Sequence, residues 1–367
     1  MNGIPAMAGN KKVAVAMSGG VDSSVAAALL CQKGYDVTGV TMKIWDGRSS
    51  PGSNRQGCFG PWTEANIEDA RKVTHKLNIP HKVIDLSSEF STEILDYVKK
   101  EYLQGRTPNP CSRCNPRLKF GILTLKAASQ GIQFDYFATG HYARIDYEEN
   151  RKRFLLKKAL DKSKDQSYFL ALLSREQIAR SLFPLANLKK TEVRNLASGF
   201  GFDVSEKADS QDFYTGSYDS LLGQSTPGVI IDKNGIEIGR HIGIGLYTIG
   251  QRKGLGIARE KPLYVTKIDP VTNTIVVGER DEILDDKLVA SNLNWISVDN
   301  IQSPTKLMAR IRYRHEEAEA LVTPIEVDKV LVRFTKPQMA VTPGQTVVFY
   351  DNDIVVGGGV IEKAGGG

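Results

Sequence analysis

The chain has 367 residues, 41% hydrophobic and 25% charged, with a formal net charge of +6. That composition fits a soluble globular protein of two or three domains. No apolar run approaches the roughly 18–20 residues that span a bilayer, four cysteines are too few for a disulfide scaffold, and residues 1–10 resemble neither a secretory signal nor a transit peptide, so a cytoplasmic enzyme or binding protein with no membrane partner is expected.

The first third alternates strand and helix signals. Residues 12–17 read as a buried strand, followed by a glycine turn and an apolar helix from 21 to about 33. A β-rich run covers 36–45, and 46–62 is a Gly-, Ser- and Pro-rich loop. A helix then starts near Thr63, read as its N-cap. Residues 81–86 form a strand, 87–104 a helix and 134–139 a fourth strand. This rhythm predicts an α/β, doubly wound parallel sheet, whose ligands bind beyond the carboxyl ends of the strands.

From about 165 to 199 the pattern is helical and basic; after Ser205 it turns to short strands. Residues 229–232 and 236–238 flank a Lys233-Asn234-Gly235 turn and read as a hairpin, and 263–277 as a second. Runs at 318–322, 329–334, 346–350 and 354–361 have the period and spacing of a small barrel, with a frayed tail at 364–367. Three domains are expected: 1–206 catalytic, with a basic helical part at about 160–200; 207–286 a β-rich connector; and 287–367 a C-terminal β-barrel.

Positive charge is focused in the middle. Residues 151–194 carry twelve Lys/Arg against four acids, and 99–126 carry seven against Glu101 alone. Focusing of this kind attracts polyanions and releases their counterions, which favours a nucleic-acid partner.

The most informative stretch is Ser18-Gly19-Gly20-Val21-Asp22-Ser23-Ser24 between strand and helix. Two glycines let the backbone approach an anion, the helix offers free N–H groups, and the serines add hydroxyls. The Gly-Lys-Ser/Thr of a Walker loop is absent. Thr107-Pro108-Asn109-Pro110-Cys111-Ser112-Arg113-Cys114 reads as a proline-stiffened loop presenting two thiols. Arg106, Arg113 and Arg117 are expected to lower the thiol pKa. A redox pair, half a metal site and a sulfur carrier all remain open for it. His75, His81 and His315 read as surface or packing residues.

The string 18–23 resembles the PP-loop of ATP pyrophosphatases, which cleave ATP between the α and β phosphates. Further matches run in order along the chain: 105–119, Ala138-Thr139-Gly140-His141-Tyr142, 164–170, 209–212, Thr248 to Gly256, 310–314 and 343–345. Together they resemble the tRNA-specific 2-thiouridylases. The resemblance implies adenylation of the C2 oxygen of the wobble uridine (position 34) of Lys-, Glu- and Gln-type tRNAs. Sulfur from a donor protein or sulfide then displaces AMP. It implies that Ala16, Met17, Ser18, Gly19, Gly20, Val21, Asp22, Ser23, Met42 and Gly140 hold ATP. Asn109, Pro110 and Cys111 would meet the target base. His141, Lys164, Asp165, Gln166, Arg312, Tyr313 and Gln345 would face the tRNA, and Cys114, with Cys111, would be catalytic. Mg²⁺ should accompany ATP, since phosphate charge must be neutralised.

The chain departs from the family pattern at two places. Cys111 replaces an aspartate, and no cysteine follows Cys114, although the family places one just after the Asp-Ser-Gln-Asp segment. Cys31, among alanines and leucines, reads as core. Cys58 lies in the loop after the second strand. Two versions of sulfur handling are expected to compete: a [4Fe–4S] cluster on Cys58, Cys111 and Cys114, or the cysteine pair acting as its own persulfide and resolving thiols. A tRNA-binding protein without thiolation, and a PP-loop ligase acting on a small molecule, are the alternatives from other classes.

Overall fold

In this computed structural model the described residues are 11–47, 57–207, 212–214, 221–223 and 225–365. Residues 1–10, most of the 46–62 loop, Asp209, Ser210, Gln211, Thr215, Gly366 and Gly367 therefore lie outside them, with the expectations that fell there. The chain divides into two compact units. One comprises residues 1–93, 111–216 and 353–355; the other 94–110, 217–352 and 356–367.

The first unit is built on a five-stranded parallel sheet. Its order is His81–Asp85, Asp36–Lys43, Lys12–Ala16, Tyr136–Ala138, Ser181–Leu182. The register is continuous: Val13 faces Val37 on one side and Tyr136 on the other. Strands buried on both faces must be apolar throughout, which is why Val13, Ala14 and Val15 are all within 1% of full burial. Helix Val21–Gln32 packs its alanines against this sheet and against helix Lys190–Gly199.

Four local expectations are corrected. The helix after the glycine-rich loop starts at Trp62, and its N-cap is Pro61; the Thr63 hydroxyl donates to the Gly60 carbonyl at 2.8 Å instead of capping. The 46–62 loop contains a short strand, Gly57–Phe59, paired in parallel with Asp212–Tyr214. The basic 165–199 stretch is not helical throughout, because Ser181–Leu182 is the outer strand of the sheet. The cysteine segment is not a loop beyond Asn109: Pro110–Cys114 is helical and runs on through a π-helical segment, Asn115–Ile122, into Leu123–Ser129.

Pro116 explains that widening. It brings no N–H and its ring crowds the preceding turn, so wider spacing relieves the clash. The side-chain amide of Gln177 donates to the carbonyls of Pro116 (2.8 Å) and Phe120 (3.2 Å). A hairpin that periodicity did not reveal, Arg144–Glu148 with Arg153–Lys157, carries several of the central cations.

The second unit holds two β structures. A four-stranded sheet has the order Glu237–His241, Gly228–Ile231, Thr274–Gly278, Tyr264–Asp269. In the Asn-Gly turn only Gly235 has positive φ, at 83°, and the Asp232 carboxylate accepts the amide hydrogens of Asn234 and Ile236, so the turn is Asx-stabilised rather than a two-residue type I′ turn.

The C-terminal strands close a six-stranded antiparallel barrel. The order is Leu284–Trp295, Lys329–Met339, Ala318–Glu326, Thr305–Arg310, Thr346–Asp351, Ile354–Ala364, and the last pairs back onto the first. Alternation places Val330, Val332 and Phe334 inward with Leu288, Val347 and Phe349. Leu284–Trp295 and Thr305–Arg310 are strands that the sequence pattern left unmarked. Ala364, expected to fray, is the last residue of the closing strand. No helix among the described residues is long and apolar enough to cross a membrane.

Candidate nucleotide and thiol site

The strand order reverses between Lys12–Ala16 and Tyr136–Ala138, so the crevice beyond their carboxyl ends is the place where such sheets bind ligands. Ser18–Ser23 follows the first of these strands, and Thr139, Gly140 and His141 follow the other. Met42 lies near the same end of the adjacent strand, opposite Ile84. The structure thus brings the phosphate loop and Gly140 together.

The loop is held by its own hydroxyls. The Ser18 amide donates to Ser23 Oγ at 3.2 Å, and the Ser23 and Ser24 hydroxyls donate to the Gly20 carbonyl at 3.1 and 2.9 Å. Gly19 has φ 69°, and a Cβ there would lie 2.1 Å from the Asn66 carbonyl oxygen. A Cβ on Gly140 would lie 2.7 Å from both Asp22 C and Ser23 N. These two contacts let the loop close on itself and leave the amides of a 12-residue helix facing the crevice.

Two lysines missed by the sequence reading grip the loop. Lys190 Nζ lies 2.7 and 2.8 Å from the two Asp22 carboxylate oxygens, and the Tyr142 hydroxyl donates to the same carboxylate at 2.8 Å. The pairing cancels a negative charge beside the anion site. Lys207 Nζ donates to the Gly19 carbonyl (3.0 Å), Asn66 (2.8 Å) and Asp69 (2.7 Å). Arg194 supports Lys207 by donating to the carbonyls of Ser205 and Lys207 at 2.6 and 3.2 Å. Lys190 and Arg194 belong to the basic stretch read as a polyanion face. The signal available in sequence was weak: Lys207 lies two residues before the 209–212 segment.

Several residues expected to face a large ligand make bonds within the chain. Asp165 is 5% exposed; its carboxylate accepts the amides of Ala159 (2.9 Å) and Ser167 (3.3 Å) and the Ser167 hydroxyl (2.8 Å). The Gln166 side chain accepts the Tyr142 amide at 3.0 Å, and the Lys164 amide donates to the Asp161 carbonyl at 3.1 Å. In the second unit, Arg312 donates to the carbonyls of Ile249 and Ala340, both at 3.1 Å, and to the Thr342 hydroxyl. The Tyr313 carbonyl accepts from Arg310, whose guanidinium lies 5.4 Å from the Tyr313 ring. Gln345 donates to the carbonyls of Thr107 (2.8 Å) and Pro108 (3.2 Å). Arg106 adds bonds to Glu101 (2.7 Å) and to the Glu362 carbonyl (3.0 Å). These groups fix the chain leading into half-buried Asn109 and Pro110.

The thiols correct another expectation. Arg113 is spent on Glu93, donating to its carbonyl at 2.7 Å, and Arg106 on Glu101 and the barrel carbonyls. Burial pushes the Cys114 thiol up to about 11; Lys119 pulls it down and Cys58 adds a smaller upward push. Desolvation outweighs the nearby cations, so Cys114 is protonated at neutral pH. Its alkylation by iodoacetamide should therefore accelerate about tenfold per pH unit from pH 7 to about 10, while exposed Cys58 labels first; mass spectrometry of the labelled peptides reads both. Labelling of Cys114 already at its plateau at pH 7 would refute the assignment.

His141 shares the Lys119 neighbourhood. Burial, and then Lys119, hold its imidazole well below the usual range, so it is neutral. Its Nδ1 lies 2.7 Å from the Thr139 hydroxyl, and its ring lies 6.1 Å from those of Phe120 and Phe183. Cys111 and Cys114 occupy one helical turn and are half-buried; Cys58 is exposed on Gly57–Phe59. No group of three or more His, Cys, Asp and Glu side chains among the described residues converges as a metal site. The [4Fe–4S] version of sulfur handling therefore finds no support among the described residues.

A doubly wound sheet with a Ser-Gly-Gly-x-Asp-Ser loop at its switch point defines a nucleotide-binding protein of the PP-loop class. Family models match in chain order: "tRNA methyl transferase HUP domain" over residues 11–214, "tRNA methyl transferase PRC-barrel domain" over 219–279 and "Aminomethyltransferase beta-barrel domain" over 285–361. A "tRNA-specific 2-thiouridylase MnmA 2" of Thermoanaerobacter sp. (strain X514) is 47% identical over 363 residues, covering 96% of this chain and 98% of the relative. A "tRNA-specific 2-thiouridylase MnmA" of Acetivibrio thermocellus is 47% identical over 360 residues, covering 96% and 99%. The chain belongs to the MnmA family of tRNA-specific 2-thiouridylases.

Proposed function

We propose that the protein is an ATP-dependent tRNA sulfurtransferase that converts the C2 oxygen of the wobble uridine to sulfur. The observation that carries this reading is the phosphate loop at the switch point of a sheet whose unit also holds the Cys111–Cys114 turn. The C2 oxygen is a poor leaving group. Adenylation turns it into AMP, and a sulfur nucleophile completes the exchange. The helix amides and loop hydroxyls hold the phosphates, while Lys190 keeps the Asp22 charge from opposing them. Mg²⁺ enters with the nucleotide, bound to its phosphates; Asp22, the loop's own carboxylate, is occupied by Lys190 and Tyr142.

Sulfur is carried by the thiol pair, and no step is routed through a cluster. Cys114 attacks the outer, sulfane sulfur of a donor protein's persulfide, the donor's thiolate leaves, and Cys114 then holds that sulfur as a persulfide, a stronger acid than the desolvated thiol. The terminal sulfur attacks C2 and the C2–O bond breaks, releasing AMP. Cys111, as thiolate, then attacks the Cys114 sulfur, the S–S bond to the transferred atom breaks, and that atom stays on C2. The resulting Cys111–Cys114 disulfide is returned to two thiols by an external dithiol reductant.

Methyl transfer to tRNA is the competing reaction. A methyltransferase needs neither a pyrophosphate-type loop nor a cysteine pair, so thiolation is the reading adopted. Incubating the protein with ATP, Mg²⁺, a persulfide donor, a dithiol reductant and wobble-uridine tRNA, followed by mass spectrometry of the nucleosides, tests it. A 16-Da gain on uridine with release of AMP and pyrophosphate is expected. A 14-Da gain, or no AMP formed with cognate tRNA, would overturn it.

A further inference from the structure

The segment 247–263 of the second unit has neither helix nor strand, a length at which loops inside compact domains are usually functional. It is nevertheless stapled at several points. Gly250 N–H donates to the Val265 carbonyl (2.8 Å), Val265 N–H to the Gln251 carbonyl (3.0 Å) and the Gln251 amide to the Lys253 carbonyl (3.0 Å). Leu255 is buried in the β core, with Ile249, Ile257 and Leu263 packed around it. Sinking these apolar side chains leaves the charged ones outside: Arg252, Lys253, Arg259 and Lys261 are all exposed, with Glu260 the only acid between 247 and 263. Arg252, Arg259 and Lys261, with Gly254 and Gly256, line an open concavity of about 390 Å³.

Two of these cations are partly offset. Lys261 is paired with exposed Glu279 at 3.0 Å, and Arg259 acts on Asp232. Arg252 and Lys253 have no hydrogen-bond or ion-pair partner among the described residues. The glycines in the lining keep the backbone open to close approach by a ligand. Nothing in the adenylation or sulfur-transfer steps uses this loop.

We propose that the 252–261 concavity is a seat for phosphodiesters of the RNA substrate, held by Arg252 and Arg259. The proposal rests on the tRNA reading given above. A free nucleotide is the other source of the same phosphate chemistry. The RNA backbone is favoured because the cations are spread along an exposed rim and no aromatic side chain lines the concavity to stack a base.

The test measures tRNA binding by the full chain as a function of salt, for wild type, Arg252→Gln/Arg259→Gln and Arg252→Lys/Arg259→Lys. Removing two phosphate contacts should lower the salt slope by about two, so the wild type loses about tenfold more affinity than the Gln pair between roughly 50 and 200 mM salt. The Lys pair should keep the wild-type slope, and ATP affinity should be the same in all three. Should the Gln pair not fold, Arg252→Gln alone should lower the slope by about one. An unchanged slope in a folded variant overturns the seat while leaving the tRNA reading standing. ATP affinity falling in place of tRNA affinity assigns the concavity to nucleotide and also overturns it. A wild type that holds no tRNA overturns both.

Discussion

Cys114→Ser should abolish thiolation, by at least about 10³-fold, while leaving tRNA-dependent AMP formation within a few-fold of wild type. The reasoning is chemical: serine keeps the size and the helical turn, but its hydroxyl can neither carry sulfane sulfur nor accept an electron pair across an S–S bond. Adenylation depends on the phosphate loop and should survive. Cys111→Ala should allow the first attack but leave the chain linked to the base through Cys114, a covalent protein–tRNA adduct seen on a gel and released by dithiol. Cys58→Ala should leave multiple-turnover thiolation intact. Loss of activity there would transfer the resolving role to Cys58, on the strand paired with Asp212–Tyr214, the segment next to which the family's usual second cysteine lies. Thiolation surviving Cys114→Ser would remove the sulfur-transfer step altogether. Nucleoside mass spectrometry and AMP release, measured on the same samples, separate these cases.

Gly19→Ala and Gly140→Ala should both disable ATP use, raising KM for ATP at least about 100-fold. Each fails for a different reason. At position 19 an L side chain meets both a positive φ of 69° and a backbone oxygen 2.1 Å away, a combination that costs about 1–3 kcal/mol of strain before any rearrangement. At position 140 the backbone angle is ordinary, but the new methyl would lie 2.7 Å from the chain at Asp22 and Ser23. The helix mouth would have to move away from the neighbouring strand, and the crevice would open. Gly19→Ala should therefore lower Tm more than Gly140→Ala for a similar loss of ATP binding. Gly34→Ala, at φ 80° with nothing within 4 Å of the new methyl, is the control for strain without contact: it should lower Tm and leave KM for ATP alone. Equal KM values in all three would show that the loop's close packing does not shape the nucleotide site.

The first-unit elements and the phosphate loop could be read from the chain because their signals are local. An apolar run buried on both faces, a Gly-Gly turn and an alanine-rich helix each follow from neighbours a few residues apart. The barrel was partly visible through period-two alternation. Its strands Leu284–Trp295 and Thr305–Arg310 were hidden because polar residues interrupt their apolar pattern. The cysteine segment misled for another reason. Two prolines suggested a stiff loop, yet Pro110 begins a helix, where its missing N–H costs nothing, and Pro116 is accommodated by a wider turn.

By itself the sequence determined the α/β class, the phosphate loop, the cysteine pair and the lack of any thiol after Cys114. All of these are properties of residue identity and short-range spacing. Only the tertiary structure decided what the charged side chains do. Lys190 finds Asp22 across 168 positions, Arg312 and Gln345 bind backbone carbonyls, Asp165 turns inward and the Cys114 thiol rises to about 11. Partners that distant, and the desolvation that sets a thiol's acidity, exist only once the chain has folded, because both depend on which surfaces exclude water.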